Sequence, residues 1–135
     1  MKLASASALA AVAMLVATVA PAAAELKDQV QVQIKSSETH EGMQPGTYVC
    51  AAGHLHVKAT VQNLAEVPVG PVKVSGKALG ADGKVLGTAT ASTRQPALAP
   101  HESAPVDLEF LSVTGPLIKQ VKSEELAVVS VAAKP

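Results

Sequence analysis

From His54 to Asn63 the chain alternates strictly, with Leu55, Val57, Ala59 and Val61 set against His54, His56, Lys58, Thr60 and Gln62. Period two is the period of a strand, because successive side chains leave a pleated backbone on opposite faces. A stretch with one apolar face must bury that face against a second layer, so one such strand already calls for a partner sheet. The pattern recurs along the chain. Residues 29–35 ("QVQVQIK") set Val30, Val32 and Ile34 opposite Gln29, Gln31, Gln33 and Lys35, giving a first strand. Polar residues, Pro45 and Gly46 then mark a loop over 36–46.

Further along, a strand over Val72–Leu79 pairs with Lys84–Thr93 across "GADG", where Asp82-Gly83 supply tight-turn chemistry. Val106, Leu108 and Phe110 alternate with Asp107 and Glu109. A last strand around Leu126–Ala132 follows the turn "VTGP" and a polar "KSEE" that reads as strand or as helical turn. About seven short strands separated by turn signals predict an all-β fold, a single antiparallel immunoglobulin-like sandwich. Its inward residues should include Leu55, Val57, Val61, Val72, Val74, Leu108 and Phe110. Tyr48 and Phe110 are the only aromatic residues, so Val, Leu and Ala must fill the core.

The first 24 residues read as a signal peptide. Lys2 gives a positive start, Leu9 to Ala17 are uninterruptedly apolar, and Pro21-Ala22-Ala23-Ala24 ends in small residues. Such a run, at about 1.5 Å per residue, covers under half of a hydrocarbon core of roughly 30 Å, so it is too short for a membrane span. Cleavage after Ala24 would leave one domain, residues 25–135, with no transmembrane segment, in the periplasm or outside the cell. Lys2 is the only charge removed, so ten of the eleven basic side chains remain against eleven acidic ones. They are scattered, which argues against nucleic acid and against an anionic membrane surface as partners. Cys50 is the sole cysteine, so no internal disulfide forms.

The run "HVKATVQNLAEVPVGPVKVSGKALGADGKVLGTATA", followed by "LAPHESAPVDLEF", resembles the FxLYD domain, an exported β-sandwich family. The likeness covers about residues 54–111: a strand ending in Asn63, a turn, a hairpin, then a Leu-x-Pro turn leading into a strand. Gly76, Ala78, Leu79 and Gly80 stand where the namesake motif has Phe, Leu, Tyr and Asp, and His101 stands at the usual turn Gly. The resemblance implies a binding or assembly module and brings no catalytic residue.

Chemistry-bearing motifs are few. "CAAGH" (50–54) has Gly53 where haem attachment needs a second thiol. "HEGMQ" and "HESAP" lack the second His, four residues on, of a zinc protease, and no Gly-x-Ser-x-Gly elbow is present. What survives is His54-x-His56, two imidazoles on one strand face. With His40 and Met43 in the preceding loop, and the Cys50 thiol, they form a candidate set for copper or zinc. The expected function is therefore non-catalytic, a module without cofactor that binds an envelope or periplasmic protein. The alternative is a periplasmic copper or zinc binder using His54, His56, His40 and Met43.

Overall fold

The inward halves of the alternating stretches meet in one core. The computed structural model describes residues 26–133, so the signal segment and its cleavage point lie outside the described residues. Within them run seven strands: β1 (Val30–Ile34), β2 (Thr47–Val49), β3 (His54–Asn63), β4 (Val69–Leu79), β5 (Val85–Ser92), β6 (Ser103–Thr114) and β7 (Ser123–Ala133). β3 is the spine of the first sheet, with β6 along one side and both β1 and β2 antiparallel to it. The second sheet has the order β5-β4-β7, also antiparallel. The fold is an antiparallel all-β sandwich, as the alternation predicts.

All seven residues expected inside are buried: Leu55, Val57, Val61, Val72, Val74, Leu108 and Phe110. Phe110, the one large aromatic of the core, is accommodated by Gly76 on the facing sheet. A Cβ there would lie 2.8 Å from Leu108 Cδ2, 2.9 Å from Leu126 Cδ2 and 3.2 Å from Phe110 Cζ. Asn63 ends β3 fully buried and fastens two loops at once. Its Nδ2 donates to the carbonyls of Val67 (2.9 Å) and Leu98 (3.1 Å), while its Oδ1 accepts the Ala65 N–H (2.9 Å). A buried amide with both ends satisfied locks loop geometry that apolar packing alone leaves free.

Apart from one-residue trims at the two ends of β5, boundaries differ from the sequence expectation in four places. β4 begins at Val69, within the expected turn, and tolerates Pro71 because the ladder shifts register between Val69 and Val72. "KSEE" is not a helical turn: Ser123–Glu125 open β7, and the helical turn is the 3-10 segment Gly115–Gln120 just before it. β1 is shorter than 29–35, since Gln29 closes a 3-10 turn over Lys27–Gln29. β2, finally, carries no period of its own. Its register continues that of β1 along the same side of β3, from Ile34↔Ala59 to Thr47↔Val57. β1 and β2 are one edge strand interrupted by an excursion, whose neck is closed by the bonds Lys35 N–H to Lys58 O (2.9 Å) and Lys58 N–H to Gly46 O (2.8 Å).

Candidate functional site

Register places the polar face of the first sheet residue by residue. Tyr48 lies directly opposite His56, and Cys50, one pleat further on, donates its backbone N–H to the carbonyl of His54 (3.1 Å). Tyr48, Cys50, His54 and His56 thus share one outer patch, with His56 diagonal to Cys50. Across β3, His56 faces Glu109 and Lys58 faces Asp107. The turn between β2 and β3 is tight: Gly53 adopts φ +86°, where a side chain would be strained, and its N–H returns to the Cys50 carbonyl (2.9 Å).

Each imidazole is held by a carboxylate of β6. His54 Nδ1 lies 2.9 Å from Glu109 Oε1, and His56 Nδ1 lies 2.7 Å from Asp107 Oδ1. An ionised carboxylate only accepts, so Nδ1 of His56 carries the proton and Nε2 presents the lone pair. Tyr48 roofs this arrangement. Its ring stacks on His56 with centroids 4.7 Å apart, its hydroxyl donates to Asp107 Oδ2 (2.5 Å), and Lys58 Nζ sits 5.1 Å from its ring centroid. Lys58 is in turn paired with Glu38 (2.7 Å) from the excursion loop.

His56 is therefore not a wet surface residue. It projects outward, as the alternation requires, yet is only 9 % exposed, and its Nε2 is buried with no hydrogen-bond partner. The nearest measured carboxylate oxygen, Glu109 Oε2, stands 3.8 Å from that atom. Burial alone would push the imidazole's pKa down, but the Asp107 hydrogen bond and the neighbouring Cys50 thiol outweigh it and raise it. Cys50 moves the other way. The His54 backbone N–H, then His56 and the Ala52 N–H, hold the half-exposed thiol below its ordinary range despite the opposing effect of burial. Tyr48 is pushed up, first by burial and then by Asp107.

The other residues expected around the histidine pair are placed differently. His40 reaches the rim, its ring 6.0 Å from Tyr48 and its Nε2 3.8 Å from Glu38. Met43 packs against the hydrophobic core and lines a groove with the inward residues Thr47 and Leu55, on the opposite side of the sheet from His54 and His56. Among the described residues, no three of His, Cys, Asp and Glu are grouped to hold a metal ion. Asp107, Glu109 and Tyr48 were not singled out from sequence. The available signal was their alternation with core residues on neighbouring strands, which gives a face but not a partner.

No protein-family model and no curated protein matches this chain. Among solved structures it is similar to IrmA from Escherichia coli, at 14 % identity and a TM-score of 0.49, over 78 % of this chain and 84 % of that one. A likeness of that degree carries no functional argument.

Proposed function

We propose that this chain is an exported, non-catalytic β-sandwich module of the FxLYD kind, which binds a protein of the cell envelope through the outer face of its first sheet. The observation that supports this most is the end of that face beside the β2–β3 turn. Here Leu111 is 67 % exposed, in the irregular stretch of β6 opposite His54 that separates the Leu55↔Phe110 and His54↔Thr114 pairings. A large exposed aliphatic side chain beside ordered, mutually bonded polar groups is the composition of a contact surface: an apolar anchor with a fixed polar surround. The excursion loop overhangs the same patch through Glu38 and His40, and loops on rigid strands are where recognition concentrates.

The test is site-specific photocrosslinking in the expressing cell, with the probe at Leu111 and, as control, at Thr88 on the second sheet. The proposal expects a discrete adduct from position 111 and none from 88, on a protein whose mass begins at Glu25 in the periplasmic or secreted fraction. Equal or absent adducts at both positions would reject the binding face. An intact Met1 on protein from that fraction would reject export by cleavage.

A further inference from the structure

The inward row of β7 opens on a charge. In the ladder with β4, Glu124 lies opposite Ala78, as Leu126 lies opposite Gly76 and Val128 opposite Val74, and both Ala78 and Val74 are fully buried. Paired residues of a ladder leave the sheet on the same side, so Glu124 points between the sheets. There it lines a groove of about 550 Å³ at the end of the sandwich, between the excursion loop and the 3-10 turn. The Gln44 side-chain amide ties the two walls together by donating to the Lys122 carbonyl.

The floor of this groove is apolar. Leu55 and Val121 belong to the core, and Met43 and Ile118 pack against it. Glu124 is half-buried above them and, among the described residues, has no ion-pair partner. Burial, with no cation to oppose it, pushes its carboxyl above the ordinary range. A carboxylate partly withdrawn from water and unpaired is unfavourable, so a cationic group entering the groove gains a stronger contact than an open surface would give.

An inward charge on an edge strand can also serve merely to discourage pairing with another chain, and β7 is an edge strand. The opposite wall points to a ligand. Lys119 and Lys122 line the same groove, both exposed, and neither is paired with a carboxylate among the described residues. Lys122 Nζ turns instead to the Lys119 carbonyl at 3.5 Å. An apolar floor with one unpaired carboxylate and two unpaired ammonium groups complements a molecule that carries both charges on an apolar body. We propose that this groove binds a small zwitterion with an apolar side chain, an amino acid or short peptide with free termini. Its ammonium group meets Glu124, its carboxylate meets Lys119 and Lys122, and its side chain lies on the floor. The groove has the size usual for small-molecule sites, roughly 300–1,000 Å³. It lies on the inner side of the first sheet, so this site and the outer binding face stand or fall separately.

The test is proton–nitrogen NMR of the full mature chain, titrated to about 10 mM with leucine and with dileucine. N-acetyl-dileucine, dileucine amide and diglycine are the controls. The proposal expects saturable shifts around Met43, Leu55 and Glu124. Removing either charge of dileucine should weaken binding about tenfold, and diglycine should give no saturable shift. Glu124→Gln should bind dileucine and N-acetyl-dileucine equally, and Lys119→Gln combined with Lys122→Gln should do the same for dileucine and its amide. Tighter binding of dileucine than of leucine identifies a peptide as the ligand; leucine binding as tight or tighter identifies a free amino acid. Should a variant not fold, the capped ligands on the unmodified chain decide alone. No saturable shift with leucine or dileucine, equal affinity of the unmodified chain for dileucine and N-acetyl-dileucine, or shifts confined to other faces overturns the proposal.

Discussion

His101 is the one described non-glycine residue with positive φ, at +66°. Its N–H donates to the Asn63 carbonyl at 2.6 Å, so the turn into β6 depends on a conformation that an L side chain adopts at a cost. Its contact with Glu66 joins two largely exposed side chains and offsets little. Replacing His101 by Gly should therefore raise stability by about 0.5–1 kcal/mol in urea unfolding, after the greater freedom of unfolded glycine is counted. His56 gives a prediction of opposite kind. A pKa raised in the folded state contributes stability that is complete below the ordinary imidazole value of about 6.5 and is lost as pH rises through the folded value. In the unmodified chain this contribution to the unfolding free energy should thus decline as pH is raised from about 6.5. Adding Asp107→Asn should flatten that decline, and a slope that survives it would assign the effect to another group.

At the scale of elements, legibility followed length and burial asymmetry. β3 and β6 are long and wet on one side only, so their alternation survives in the sequence as a clean pattern, BeBeBeBe over Ala104–Leu111 for example. β2 is three residues between Gly46 and a Cys-Ala-Ala-Gly turn, too short to show a period, and becomes a strand only because β3 offers it a ladder. The polar start of β7 was ambiguous because the strand pairs with β4 on one side alone and leaves most of its side chains at least partly exposed. The imidazole pair was legible as a face. Its lid was not, since Tyr48 and Asp107 come from strands 8 and 51 residues away and meet His56 only through register. Gly76 shows the same limit from the core side: it reads as a weak point in a strand, yet it makes room for Phe110. Gly76→Ala should cost about 1–3 kcal/mol by overpacking, and Val57→Ala about 1–4 kcal/mol by lost burial and a cavity, whereas Thr60→Ala on the outer face should cost little. Denaturant midpoints for the three variants check this order.

For the whole molecule, a sandwich with one small aliphatic core keeps its chemistry outside that core. Both sheets spend their inner faces on Val, Leu and Phe110, and the titratable residues gather where three strands of the first sheet lie side by side. The exposed Leu111 and the half-exposed Cys50 mark the same end of that face. The claim on which everything rests is that β2, β3 and β6 align so that Asp107, His56 and Tyr48 form one bonded line. Long-range proton–nitrogen NMR of the His56 ring, titrated through neutral pH, measures this directly. The account predicts a neutral ring protonated on Nδ1, with a pKa above the ordinary value of about 6.5. A ring protonated on Nε2, or one titrating at or below that value, would contradict it.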